Sequence, residues 1–320
     1  MIVVIGEALI DLISKANPGN YQAVVGGANA NVALALAVQG QPQTFLGRIS
    51  SDGFGEIIRN HLASHGVNLD YAISAKEQTT LAVATIDEVG VASYSFYTEG
   101  TADWAWTRQE LPALEKLREL EVTAIQYGCL GMAIGPGNQV IEAWLKDIYA
   151  ANFTTLSHDL NIRPALGFDR NEERERVERL NEISHIIKAS DADIEWLYDL
   201  PSGANLDEIV SSWSREKMVI ITRGELGISL YRNQQRYDVA GFSVKLVDTV
   251  GAGDTFIATF LAELSQVGAL GEKPIEKLMA VSEDELIGYA TVANAAAAVV
   301  CERTGCQPPT KQEIVARLLG

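Results

Sequence analysis

The chain has 320 residues, 47% of them hydrophobic, and its 25 basic against 42 acidic residues give a formal charge of −17. Such a balance, with no long Lys/Arg cluster, excludes a nucleic-acid-binding footprint, and it would repel an anionic substrate unless positive elements are gathered locally. The apolar stretch 290–301 is too short for a membrane span, residues 1–6 lack the basic flank of a signal peptide, and three cysteines and four scattered histidines offer no metal-binding spacing, which together point to a reducing cytoplasm.

In chain order, residues 2–5 read as a strand. Residues 9–14 and 21–25 flank the turn Asn17-Pro18-Gly19-Asn20 as a hairpin. Residues 29–39 predict a buried helix stopped by Gly40, 44–49 a strand, and 52–65 a helix ended by Gly66. A second hairpin is expected from 80–86 and 91–97 around Asp87-Glu-Val-Gly90. Thr107 and Glu110 form a capping box for a helix leading to a strand at 122–127. Then come a helix at 137–150, a strand at 155–159, a helix at 172–181, and strands at 185–188 and 218–222. In the 172–181 helix, Glu172/Arg176 and Glu175/Arg179 stand four apart, which predicts a solvated face. This alternation implies an α/β fold: a mainly parallel sheet covered by helices, in one domain spanning 1–320. The hairpins, with strands within 8–26 and 79–99, are expected to form a small sheet that closes over the active site as a lid. A peripheral β-extension is the alternative.

Asp248-Thr-Val-Gly-Ala-Gly-Asp-Thr-Phe256 runs from a strand-like segment at 244–247 into an apolar helix at 256–264. A Gly-Ala-Gly turn before a helix lets backbone N–H groups meet an anion, aided by the helix dipole. Asp254 would stand at the mouth of that site, kept ionised by the helix N-terminus and placed to take a proton from a hydroxyl. The same residues also suit a plain N-cap and tight turn.

This motif, paired with Gly26-Gly27-Ala28-Asn29-Ala30-Asn31-Val32-Ala33, resembles the two signatures of the ribokinase-like (PfkB) carbohydrate kinase family. Similarities extend over the chain, at Gly6-Glu7 with Asp11, Gly47-Arg48, Asp159-Leu-Asn-Ile-Arg-Pro164, Thr222-Arg-Gly-Glu-Leu-Gly227 and the segment from Asn294 to Gly305. The resemblance implies a three-layer α/β/α core and ATP-dependent phosphorylation of a sugar. Asp254 would be the base and Gly251, Ala252 and Gly253 the anion hole. Asp11, Gly26, Gly27, Asn31, Tyr97, Asp103, Asn161 and Arg163 would bind the sugar. ATP would lie across Thr222, Gly224 and Gly227, with Asn294 near the adenine and Lys188 and Ser190 near the phosphates.

Many family members carry an Asn-x-x-Glu element tied to magnesium; here Ser190-Asp-Ala-Asp193 stands there. Asp193 would act on Mg2+ through water, or simply cap the next helix with Ser190. Asp248 and Val250 are candidates for a monovalent cation such as K+. Gly6-Glu7-Ala8-Leu9-Ile10-Asp11 and Tyr97-Thr-Glu-Gly-Thr-Ala-Asp103 look most like fructokinases, although Asn29 stands where many of those have proline. The competing reading is a 2-keto-3-deoxygluconate kinase, which tends to place Arg where this chain has Glu99, a residue that would repel a carboxylate. Ribokinase and nucleoside-kinase readings follow, and a non-catalytic sugar or nucleotide sensor is the alternative of another class. A homodimer through the lid is expected of a small exposed sheet.

Overall fold

The computed structural model describes residues 1–14, 19–86 and 92–320. Its strands are β1 (Ile2–Ile5), β2 (Leu9–Ser14), β3 (Tyr21–Gly26), β4 (Gln43–Leu46), β5 (Arg48–Ser50), β6 (Ile73–Ala75), β7 (Leu81–Ile86), β8 (Ala92–Tyr97), β9 (Ala124–Gly128), β10 (Thr155–Asp159), β11 (Ile186–Ser190), β12 (Met218–Thr222), β13 (Ile228–Arg232) and β14 (Gln235–Val239).

Eight of them form the main sheet, in the order β14-β13-β12-β11-β10-β9-β1-β4. It is parallel from β4 to β12, and β13 and β14 extend it antiparallel. The parallel strands are buried on both faces because helices cover both. Alternate residues sort to the two sides. Ile2, Val4, Ile186, Met218 and Ile220 pack with the helices Ala28–Val38 and Ala252–Gln266. Val3, Ile5, Ile125 and Leu156 pack on the opposite side with Trp144, Leu145 and Ile148 of the helix Gly137–Ala151. Burying a side chain of this size contributes about 1.5–3 kcal/mol, so these two layers hold the sheet edges in fixed register. The expected α/β/α architecture is therefore present. No helix of the described residues is long and apolar enough to cross a membrane.

The two N-terminal hairpins join into one four-stranded sheet, β3-β2-β7-β8, through the parallel pairing of β2 with β7. The turn residues Asn17 and Pro18, the whole Asp87–Gly90 turn and Val91 lie outside the described residues.

Four readings need correction. The strand expected at 44–49 is broken at Gly47, where a β-carbon would stand 2.2 Å from the Phe45 ring. β4 stays in the main sheet, while β5 leaves to pair with β6. The Thr107–Glu110 capping box exists, but on a single 3-10 turn; the helix Leu114–Glu119 begins separately. Residues 244–247 are not a strand: Leu246 and Val247 are exposed, and the Val247 N–H donates to the Cys301 carbonyl. In the helix Arg170–Glu182, Arg176 is buried and paired with buried Glu173 rather than lying on a solvated face with Glu172.

Candidate active site

The helices Ala28–Val38 and Ala252–Gln266 lie side by side, and polar contacts fix how they slide. Gln39 Nε2 donates to Thr259 Oγ1 at 2.8 Å, and Gln41 Nε2 to Ser265 Oγ at 2.9 Å. The Ala-rich stretch permits this close approach, since small side chains leave room between the axes. At the other end of the pair, the same register sets Asn31 opposite Asp254, with Asn31 Nδ2 donating to Asp254 Oδ2 at 2.8 Å. One hydrogen bond thus joins two motifs 223 residues apart.

Gly251 precedes the second helix at φ +80°, a left-handed conformation, and a β-carbon there would stand 2.3 Å from Cys306 Sγ. Both facts favour glycine. No side chain caps this helix; the Ala252 N–H donates to the Thr249 carbonyl at 3.2 Å, while those of Gly253 and Asp254 remain available to an anion. Lys188 Nζ stops 3.1 Å from the point where a Gly253 β-carbon would be. It also donates to Asp159 Oδ2 at 2.7 Å, from the register partner on the neighbouring strand. An ammonium therefore stands at the anion-accepting turn, with its charge partly balanced by Asp159.

Asp254 departs from the ionised state expected of it. Burial pushes its carboxyl up to about 7, and neighbouring Asp159 adds to this, against the opposing Asn31 bond and the charges of Lys188 and Arg163. Desolvation outweighs the helix end because the side chain is only 6% exposed.

The small sheet contributes the rest of the crevice. Asp11 on β2 faces Gly26 on β3 so closely that a β-carbon at Gly26 would fall 2.2 Å from Asp11 Oδ2. Burial raises Asp11 to about 6, with Arg163 pulling the other way. Gly27 holds φ +107° with its Cα against the Glu7 carbonyl, a packing that leaves no room for a side chain. Behind it the Glu7 carboxylate accepts from the N–H of Ala28 (2.9 Å), from Asn29 Nδ2 (3.0 Å) and from the N–H of Gly131 (3.0 Å). Asn29, the residue at odds with the fructokinase pattern, thus serves as a donor that pins the glycine strap. Asp103 accepts from Ala8 N at 2.9 Å and Thr80 Oγ1 at 2.5 Å. Burial raises it to about 7, and it ties the small sheet to the core from behind the cradle.

Asp11, Gly26, Gly27, Asn31, Arg163, Lys188, Gly253 and Asp254 converge in this way. Arg163 is exposed and, among the described residues, bonds only the carbonyl of Ile162, while its charge reaches Asp11, Asp159 and Asp254. Asn161 stands beside it at φ +42°. Tyr97 is 60% exposed on edge strand β8, in register with Leu81, which itself pairs with Ile10 beside Asp11.

The residues expected for nucleotide form a second group. Thr222 ends β12, and Gly224 follows at φ +53° with open space around it. Gly227, by contrast, is packed on the backbone of Val239–Gly241, which explains that glycine structurally. Asn294 is buried and donates to the Ala240 carbonyl at 3.2 Å, so it does not face solvent. Ser190 and Asp193 form the capping box, and Asp193 also accepts from Ile162 N at 2.8 Å. Asp248 accepts from Val250 N and Gly305 N, closing the loop before the anion turn; Val250 itself is exposed. Among the described residues, no three His, Cys, Asp or Glu side chains gather as a metal cage.

Sequence reading missed Glu7, Cys129 and Asp159 as members of the site. All three sit at or just beyond the C-terminal ends of β1, β9 and β10, where parallel sheets place their ligands. For Glu7 the available signal was a carboxylate just past the apolar strand Ile2–Ile5; Cys129 and Asp159 carried no comparable one. Cys129, at φ +50°, packs under Leu9 and Trp104, and burial raises its thiol well above the usual range.

A doubly covered parallel sheet, with a hydroxyl-holding cradle beside an anion-accepting helix end, defines an α/β enzyme that acts on small polar molecules. The pattern described as pfkB family carbohydrate kinase matches residues 1–313, and the chain belongs to that family. A fructokinase of Rhizobium leguminosarum bv. trifolii is 34% identical over 286 residues, covering 87% of this chain and 84% of its own. Among solved structures, a fructokinase with bound ATP from Xylella fastidiosa superposes with a TM-score of 0.87 at 23% identity, covering 99% of this chain and 98% of its own. The Vibrio cholerae fructokinase in its fructose-, ADP- and calcium-bound form gives 0.83 at 22% identity, with the same coverage. At those identities the two structures speak for the fold.

Proposed function

We propose that this protein is an ATP-dependent fructokinase that converts fructose to fructose 6-phosphate. The observation that carries this reading is the Asn31–Asp254 bond, which puts the glycine-strapped cradle and the uncapped helix end in one crevice. The fructokinases among its relatives support the choice of sugar, as does Glu99, whose charge disfavours a carboxylate-bearing substrate.

In this mechanism Asp11 and Asn31 hold sugar hydroxyls, and Gly26 and Gly27 let the ring lie against backbone. Arg163, exposed and without an ion-pair partner among the described residues, reaches across to the substrate or its phosphoryl group. The acceptor oxygen attacks the γ-phosphorus, the bond to the β-phosphate oxygen breaks, and ADP leaves with that electron pair. Asp254 takes the hydroxyl proton. A carboxyl near 7 is a better base than an ordinary aspartate, though protonation silences it more readily below neutrality. The N–H groups of the 251–253 turn and the Lys188 ammonium receive the charge of the transferring group. The β2-β3-β7-β8 sheet acts as a lid that limits hydrolysis by water.

Magnesium would fit this donor set as an ion brought by the phosphates, since the described residues offer no cluster of three metal-ligating side chains. Asp193 would take hydrogen bonds from its water, and the ion would neutralise phosphate charge. Backbone oxygens around Asp248 and Val250 would suit a potassium ion. The nucleotide base would lie near Thr222, Gly224 and Asn294. The chain works as one domain in the cytoplasm and as a homodimer through the exposed lid sheet, where Tyr21 and Tyr97 are 47% and 60% exposed. Sedimentation at micromolar concentration showing only a 34.6 kDa species would reject the dimer. A coupled assay in which 2-keto-3-deoxygluconate turns over faster than fructose would overturn the assigned substrate.

A further inference from the structure

Asp159 and Lys188 face each other at the C-terminal edge of β10 and β11, and each side chain is only 6% exposed. A buried ammonium is stable only beside a fixed opposite charge. Burial pulls the Lys188 ammonium down, but Asp159 first, then Asp254 and Asp193, more than reverse this and leave it raised. Among the described residues Asp159 alone bonds it directly. The bond holds Nζ against Gly253, at the start of the anion-accepting helix. Among the described residues the carboxylate is half satisfied: Oδ2 accepts from Lys188, whereas Oδ1 is buried with no hydrogen-bond partner. An unpaired buried acceptor costs free energy, and here it lies beside the anion-accepting turn.

We infer that Asp159 is a positioning residue for phosphoryl transfer, holding the Lys188 ammonium against Gly253 and keeping Oδ1 open for a proton donor that arrives with the substrates. The inference rests on the kinase reading above. Lys188 has three N–H donors; one is spent on Asp159, leaving two for phosphate oxygens. Asp159 takes no part in bond making, and its contribution is to fix where the positive charge stands before nucleotide enters.

Asp159→Asn keeps the shape and removes the charge. A misplacement of about 1 Å in a positioned transfer costs about a hundredfold, so kcat falls on that scale while KM for the sugar stays unchanged. Lys188→Met falls similarly, and the double variant is no slower than Lys188→Met alone, because the two act as a unit. Wild-type kcat in Asp159→Asn, or losses that multiply in the double variant, would overturn the inference. Should Asp159→Asn fail to fold, Asp159→Glu moves the charge by one methylene. It is expected to lose about tenfold in kcat on the same positional argument, and an unchanged kcat would overturn the inference equally. A crystal structure of the nucleotide-free Asp159→Asn protein, or of Asp159→Glu in its place, adds a readout independent of turnover. Nζ is expected to leave Gly253 by about 1 Å or more, and an unmoved Nζ refutes the positioning role. A wild-type enzyme inactive on every sugar would defeat the kinase reading, and this crystallographic result would still decide what Asp159 does to Lys188.

Discussion

Replacing Asn31 by alanine removes the one neutral hydrogen bond that restrains the Asp254 carboxyl. A hydrogen bond to a charged group contributes about 1.5–3 kcal/mol, and about 1.4 kcal/mol corresponds to one pKa unit. Asp254 starts at about 7, so the variant should carry it up by about one to two units. The sign follows from the mechanism: the base works deprotonated, so kcat rises with pH through its pKa, and this rising limb moves to higher pH. At neutral pH the active fraction falls from about one half to between about one in ten and one in a hundred, a loss of roughly fivefold to fiftyfold in kcat. At high pH the loss shrinks, apart from any share that Asn31 has in holding the sugar. The assay is ADP release coupled to NADH oxidation across the pH range, with the coupling enzymes held in excess and fructose varied from low to saturating, so that kcat/KM reads Asp254 before the sugar binds and kcat reads it afterwards. A rising limb that stays in place, or moves to lower pH, would refute the link between the two motifs.

Three further variants give checkable outcomes. Asp254→Asn keeps the Asn31 partner but cannot accept a proton, so kcat should fall about a hundredfold or more with nucleotide binding retained. The same change should raise Tm at pH 8. A carboxyl raised from 3.8 to about 7 destabilises the fold progressively as pH climbs through that window; about three units set an upper limit of about 4 kcal/mol. A calorimetric Tm at pH 8 that drops would contradict the burial argument. Gly251→Ala combines a φ of +80° with a clash against Cys306 Sγ. It should cost about 1–3 kcal/mol of stability and most of the activity, read by urea unfolding and the coupled assay. Arg176→Ala strands the buried Glu173 carboxylate and should destabilise by about 3–5 kcal/mol with little change in KM, whereas an unaltered unfolding midpoint would show the pair to be dispensable.

The layers of the fold were legible because hydrophobic period and turn chemistry agree along most of the parallel sheet. Residues 155–159 and 218–222 matched strands to the residue; the second is an apolar run bounded by polar turns, while the first, with Leu156 its one apolar residue, was placed by the alternation of helices and strands around it. The misreadings came where tertiary partners decide. Residues 244–247 are apolar enough for a strand but meet a helix end instead of another strand. Glu173 was invisible as Arg176's partner because spacings of three and four both suit a helical pair, and burial chose between them. In the site, Asp254 was found from its glycines, yet its proton affinity was misjudged. The sequence displays the helix dipole, whereas desolvation depends on the walls that Asn31 and the small sheet supply. Asp159 escaped notice because its meaning comes from Lys188, 29 residues away on the next strand.

The central claim is tested most directly by phosphorus NMR of the purified protein with ATP, magnesium and a panel of sugars. The account predicts that fructose yields a new phosphomonoester at the 6-position, with ADP formed in equal amount, and that Asp254→Asn yields neither at a comparable rate. Faster product from 2-keto-3-deoxygluconate or a riboside than from fructose, or full turnover in Asp254→Asn, would contradict it.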